Sequence, residues 1–326
     1  MCINFSEVKD NCMEVIMNKL NHINVLFSSD NNYAQHLCAA IYSLLAHNQK
    51  FDNVNIYIVD NEIHEENKER IQKCIDIYKN AKIQWIDFSF WKEQLNLNMQ
   101  WDISISSYAR LFIDKMLPND IEKILYLDCD IIVCDCLSSL WNMKLDKTIL
   151  AAVQDTIGDN TKAAVGLQPM DRYFNAGVLL INLIEWRDNQ IGERCLKFIN
   201  DRHGTVTHHD QGVLNGVLRN NWYRLPLRNN IMTIHYIVNK QKIDNCFNDH
   251  SDYYSEEEII AAKEHPAILH FTPSFTSRPW VKNCKHPLKN KYWEALKHTS
   301  WDGATPEKDK SKWYVRLVDW RYRHFN

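Results

Sequence analysis

Two carboxylates, Asp128 and Asp130, are set one residue apart into the apolar run ILYLDCDIIV at residues 124–133. Side chains at i and i+2 of an extended strand point the same way, so the run predicts a buried strand presenting both carboxylates to one place. Like charges held close repel, and each costs free energy to desolvate unless something compensates. A cation is the usual compensator, and two oxygen donors at this spacing suit a hard divalent metal. A solvated strand end followed by a turn would leave the same pattern, and the motif alone keeps both readings open.

The elements that would position these groups alternate along the first half. Residues 23–28 form a short apolar run that ends at SSDNNY, the start of a loop. Ala34, Leu37, Cys38, Ile41, Leu44 and Leu45 then recur at helical spacing. Residues 54–60 read as a second strand, 62–78 as a charged helix, 81–86 as a third strand, 108–116 as a helix and 124–128 as a fourth strand. Such alternation predicts an α/β fold with a mostly parallel sheet and helices on both faces. These sheets bind ligands beyond the carboxyl ends of their strands, which puts Asp30, Asp128 and Asp130 around one cleft. The sequence has neither GxGxxG nor GxxxxGK[ST], so a nucleotide here would need something other than a glycine loop to hold its phosphates. A metal would do that.

Composition sets the outer bounds. A chain of 326 residues with 45% hydrophobic and 24% charged residues is ordinary for a soluble enzyme. A net charge of −3 gives no reason to expect nucleic acid as a partner. The ten cysteines are scattered without a CxxC pair, which argues against structural zinc and fits a reducing cytoplasm. The opening MCINFSEVKDNCMEVIMNKLNH lacks a basic start and an uninterrupted apolar stretch, so neither a signal peptide nor a transmembrane helix is expected.

Further polar groups stand among apolar segments in YFNAGVLLIN (173–182), HHDQGVLN (208–215) and HFTPSFTSRPW (270–280). Together with FSSDNNY (27–33), SSYARLFI (106–113) and KILYLDCDIIV, these segments resemble glycosyltransferase family 8, most closely its bacterial lipopolysaccharide galactosyltransferase-like members. The pieces occur in the family's order across roughly residues 23–285. The resemblance implies a GT-A-type nucleotide-sugar-binding domain there, after an N-terminal helical extension (1–22) and before a helical, basic and aromatic segment (286–326). It implies retaining transfer of a hexose, galactose favoured and glucose the runner-up, from a UDP-sugar to a lipid-, capsule- or protein-linked glycan. It also implies a Mn²⁺ cofactor, with Mg²⁺ as the alternative.

Carried over by position, Asp128 and Asp130 match the family's metal-binding DxD, with Cys129 between them, and His270 matches the third metal ligand. Taken alone, His270 reads better as a buried, satisfied histidine. Phe27, Ser28, Asp30 and Asn32 match the loop holding uracil and ribose, with Tyr33 beside them, although Asp and Asn are also ordinary turn residues. Arg110 matches an arginine on the donor sugar or diphosphate, and Asn175, Ala176, Asp210 and Gln211 fall where the donor hexose is lined. The stretch after His270 departs from the pattern: it lacks the family's glycine and has Arg278 where lysine is expected.

Chemically, retention by double displacement needs a carboxylate nucleophile, for which Asp210 is the candidate and Gln211 is poor. Same-face attack needs none. There Asp210 holds sugar hydroxyls and Gln211 leans its carbonyl toward the anomeric centre, and this route is the expectation. A hydrolase or pyrophosphorylase would lack its glycine-rich phosphate loop, and a binding protein without transfer activity would not need the complete ligand set. The last stretch, residues 308–326, holds six Lys or Arg against two Asp among Trp and Tyr residues. On a helix it predicts peripheral attachment to an anionic membrane, on the inner face of the cytoplasmic membrane, or else a final helix packed on the catalytic domain.

Overall fold

Burial runs unbroken from Ile23 to Ser29 in the first strand, β1 (His22–Asp30), because both of its faces are covered. The computed structural model describes residues 22–97, 104–247 and 250–325, so the expected N-terminal extension lies, but for His22, outside the described residues. After β1 come α1 (Ala34–His47), β2 (Asn53–Asn61), α2 (Glu65–Ile75), β3 (Ala81–Asp87), β4 (Lys123–Leu127) and β5 (Ile131–Val133). Then follow β6 (Leu150–Gln154), β7 (Phe174–Asn182), α3 (Ile191–Asn200), α4 (His209–Leu218), β8 (Tyr223–Arg224), β9 (Ile231–Met232) and β10 (Ile268–His270). The described chain closes with α5 (Lys289–Lys297) and α6 (Trp313–Phe325).

One seven-stranded sheet has the order β3-β2-β1-β4-β7-β6-β8. Its β1–β2, β2–β3, β1–β4 and β6–β8 pairs are parallel, while β7 runs antiparallel to β4 and β6. This is the mostly parallel α/β sheet that the alternation predicted. Ile23, Val25 and Phe27 pack on one face against α1 and α2, in a core that also takes Tyr292 and Leu296 of α5. Leu26, Ile124 and Tyr126 pack on the other face with Tyr108, Leu111, Cys195 and Leu214. Full burial of each large apolar side chain contributes about 1.5–3 kcal/mol, which is what clamps the strand ends rigidly enough to carry a site.

Two expectations need correcting. The stretch 108–116 is not one α-helix: Ile105–Phe112 is a 3-10 helix, followed by a short α-turn at Ile113–Met116. The serines explain it, since Ser104 accepts from the Ser106 N–H and such hydroxyls compete with helical pairing. Strand β4 stops at Leu127, so Asp128 and Asp130 lie in the turn after the strand, not within it. The chain must turn there because the next strand, β5, belongs to a separate three-stranded sheet with order β5-β10-β9.

Candidate active site

The turn after β4 gathers its ligands through the small sheet. Pairing of β10 against β5 sets His270 opposite Ile131, and the Phe271 N–H donates to the Asp130 carbonyl at 2.9 Å. A residue far downstream is thereby held beside Asp130 by backbone bonds. On the other side, Asp128 N–H donates to the Gly177 carbonyl at 2.8 Å, continuing the β4–β7 ladder by one residue.

Each carboxylate spends one oxygen on protein and turns the other inward. Asp128 Oδ1 accepts from Arg110 Nη2 at 2.7 Å and from the Tyr126 hydroxyl at 2.9 Å. Asp130 Oδ2 accepts from Arg278 Nε at 3.0 Å. That leaves Asp128 Oδ2 and Asp130 Oδ1 facing His270 Nε2, at 3.9 and 3.2 Å. Among the described residues, these three ligand atoms lie within 4.8 Å of one another. Burial by itself pushes the Asp130 carboxyl up, but His270 and Arg278 outweigh it and hold the group well below the usual carboxylate range.

The donor set, two carboxylate oxygens with an imidazole, fits a divalent cation rather than a thiolate-seeking metal. Gly177 packs directly against two of these residues. A Cβ built there would fall 2.2 Å from His270 Cε1 and 2.9 Å from Asp128 Oδ2. Glycine is required at this position because of crowding, not backbone conformation.

A cleft of about 510 Å³ opens onto this centre. Of the residues expected from the sequence, Ser28, Asp30, Asn32, Tyr33, Arg110, Asp128, Cys129, Asp130 and Arg278 line it. Phe27 does not: it is fully buried in the core. Asp30 caps the turn after β1 by accepting from the Asn32 and Tyr33 N–H groups, and its other oxygen accepts from Ser104 Oγ at 2.6 Å. Tyr33 meets Trp280 edge to face, and Trp280 stacks on the His36 ring at 3.7 Å. Without a glycine, the 270–280 loop makes its turn with Phe275 at a positive φ of 56°.

Behind the Asp128, Asp130 and His270 cluster lie Asn175, Ala176, Asp210 and Gln211. Asp210 and Gln211 lie in the first turn of α4, after its cap His208 and its first residue His209, both at positive φ, 59° and 54°. Strain of this kind costs on the order of 1–3 kcal/mol per residue and persists where packing over-determines it. Here Gly212 lets the turn close, since a Cβ on it would meet the Thr207 carbonyl oxygen at 1.8 Å. Arg110 is the buried hub between the two halves. It bonds Asp128, reaches Asp210 Oδ2 with Nε at 3.0 Å, donates to the Ala176 carbonyl and lies over the Tyr126 ring. Burial raises the Asp210 carboxyl above the ordinary carboxylate range, and Arg110 opposes that rise.

Sequence reasoning missed Ser104, Ser106 and Ser107 on the cleft wall, and Asp155, which accepts from Gln211 Nε2 at 2.9 Å. A usable signal existed for Asp155. LAAVQD, like LYLD, is an apolar run closed by an acid. At the other end of the chain, α6 leaves Trp313, Leu317, Val318 and Trp320 exposed, while Val315 and Asp319 line a small cleft against the Arg278 loop. Glu307 pairs with that loop through the Trp280 carbonyl and the Lys282 N–H. No described helix is long and apolar enough to cross a membrane.

A sequence model of the family described as "Glycosyl transferase family 8" matches residues 24–284. General stress protein A of Bacillus subtilis is 28% identical over 88% of this chain and 97% of its own length. Lipopolysaccharide 1,2-glucosyltransferase of Escherichia coli is 24% identical over 93% of this chain and 85% of its own. The crystal structure of galactosyltransferase LgtC in complex with donor and acceptor sugar analogs is similar with a TM-score of 0.69 and 27% identity, covering 87% of this chain and 98% of that one.

Proposed function

The chain belongs to glycosyltransferase family 8, and from that premise we propose that it moves a hexose from a UDP-sugar to a glycan acceptor with retention, using Mn²⁺ or Mg²⁺. The observation that carries this reading is the convergence of Asp128 Oδ2, Asp130 Oδ1 and His270 Nε2 at the edge of a polar cleft. A divalent ion held by these atoms would supply Lewis-acid stabilisation to the departing diphosphate. Asp30 and Asn32 offer acceptors and donors to ribose and uracil, with Tyr33 beside the base. Arg278 is free to exchange Asp130 for a phosphate oxygen, a geometry that a guanidinium meets better than an ammonium.

The environment of Asp210 favours same-face attack over double displacement. Its Oδ2 is tied to Arg110 at 3.0 Å, which lowers the nucleophilicity a covalent intermediate would need. Gln211 supports the reacting centre as a fixed dipole, though its carbonyl already accepts the Ala176 N–H at 2.9 Å. One lone pair of that oxygen remains for a developing positive charge. Galactose is the favoured donor sugar, by likeness to LgtC; glucose is the second reading, by likeness to the E. coli glucosyltransferase.

We place the catalytic domain at 23–285, with 286–326 as a helical extension whose exposed Trp313, Leu317, Val318 and Trp320 suit peripheral attachment to an anionic membrane on its cytoplasmic face. An acceptor on a lipid carrier fits that placement, and capsule- or protein-linked glycans are the other acceptor classes. A donor screen by UDP release with Mn²⁺, followed by a glycan acceptor array, tests the whole reading. Release from UDP-galactose or UDP-glucose that depends on the metal supports it; release from neither overturns it.

A further inference from the structure

Gln211 sits on helix α4 and His270 on strand β10, yet their side chains are oriented from one carboxylate. We infer that Asp155, Asn175 and Asn230 form a hydrogen-bonded relay that sets both the amide orientation of Gln211 and the tautomer of His270.

The direction of each bond follows from what each group is able to do. An ionised carboxylate only accepts. Asp155 Oδ2 faces Gln211 Nε2 at 2.9 Å and Asn175 Nδ2 at 3.0 Å, so both facing atoms are the amide nitrogens. The other amide atom of Gln211 is then oxygen, which is what the Ala176 N–H at 2.9 Å requires. Asn175 Oδ1 is likewise turned toward two donors, the Gly177 N–H at 3.0 Å and Asn230 Nδ2 at 2.8 Å. With its nitrogen committed there, Asn230 presents Oδ1 to His270 Nδ1 at 3.0 Å. Nδ1 must therefore carry a hydrogen, and whenever the ring is neutral its lone pair is left on Nε2, facing Asp128 and Asp130.

Reversing any amide would set oxygen against oxygen at one end and N–H against N–H at the other. Asn230 is fully buried and Asn175 nearly so. Solvent cannot repair a reversal at Asn175 or Asn230, and each unsatisfied buried group there carries the full desolvation penalty. Asp155 is the relay's fixed end, because its Oδ1 is held by the Thr156 N–H at 2.8 Å. It is a positioning residue, acting on the metal ligand through two intervening amides. Partners of this kind in other metal sites change metal affinity by about 10–100-fold when removed.

This inference rests on the reading that Asp128, Asp130 and His270 hold a divalent metal, and the test separates the two. Mn²⁺ affinity is measured on the full chain by the electron paramagnetic resonance signal of free Mn²⁺, with a thermal melt on each sample. Asp155→Ala is expected to weaken Mn²⁺ binding about tenfold or more. Asp155→Asn keeps an acceptor oxygen for both amides without the charge, giving up only the Thr156 N–H bond, and is expected to bind Mn²⁺ more tightly than Asp155→Ala. Asn175→Ala breaks the relay one link nearer His270 and is expected to weaken binding as Asp155→Ala does. If wild type binds Mn²⁺ and Asp155→Ala binds it equally well, the relay is wrong while the metal site stands. If Asn and Ala at 155 weaken binding alike, the charge acts and not the relay, and the inference is overturned. A wild-type chain that does not bind Mn²⁺ overturns the metal reading and the relay with it.

Discussion

Replacing Gly177 by alanine probes the metal centre without removing any ligand. The added Cβ would lie 2.2 Å from His270 Cε1, 2.8 Å from its Nδ1 and 2.9 Å from Asp128 Oδ2. Ordinary carbon contacts begin near 3.4 Å, so the imidazole has to retreat by roughly 1 Å, and misplacement on that scale costs about 100-fold in rate. His270 has no room to retreat cheaply, because it is buried and its Nδ1 is bonded to Asn230. Overpacking should also cost about 1–3 kcal/mol of stability. The assay is UDP release from the preferred UDP-hexose across a Mn²⁺ titration, beside a urea unfolding curve. We expect a folded protein with a weakened Mn²⁺ response and turnover down on the order of 100-fold. A folded Gly177→Ala protein with native Mn²⁺ response and native turnover would refute the claim that a side chain at Gly177 displaces His270.

Three other outcomes follow from the same geometry. Gln211→Ala should lower kcat on the order of 100-fold while UDP binding, read by calorimetry, stays near wild type; equal loss in both would move Gln211 away from the reacting centre. Removing residues 313–326 should preserve UDP-hexose hydrolysis and abolish sedimentation with anionic liposomes. The cut spares Glu307, which is bonded to the Arg278 loop, and full-length protein that ignores such liposomes at low salt contradicts the membrane reading. Burial lowers the pKa of His36 to about 3 and those of His235 and His286 to about 4. Their unfolded forms take up protons first, so stability should fall as pH drops below 6.5, by about 1.4 kcal/mol per pH unit for each, until the folded pKa is reached. These three outnumber His270, whose pKa is raised. Urea midpoints that stay flat between pH 6.5 and 5 would contradict that.

The strands were legible because burial on both faces leaves continuous apolar runs, as in β1 and β4. The turn carrying Asp128 and Asp130 was not, because nothing local says that β5 joins a different sheet. The 3-10 stretch at Ile105–Phe112 was hidden by a helix-like spacing of Tyr108, Leu111 and Phe112. His270 is unremarkable by itself, and only family order singled it out. Its place beside Asp130 comes from pairing between β5 and β10, a long-range choice that no window of sequence contains. Asn230 lies in no motif and Asp155 is marked only as the acid closing an apolar run, and their bonds exist only through partners brought in from β7, β10 and α4. Phe27 shares a motif with Ser28 and Asp30, yet strand alternation turns its side chain into the core.

Metal-dependent turnover tests the central claim most directly. UDP release from UDP-galactose and UDP-glucose should be measured for wild type and Asp130→Ala, with Mn²⁺ and with excess chelator. The account predicts release by wild type that requires Mn²⁺, and loss of at least about 100-fold in Asp130→Ala, because several kcal/mol of charge stabilisation goes with the ligand. A folded Asp130→Ala protein that turns over at the wild-type rate in chelator would contradict it.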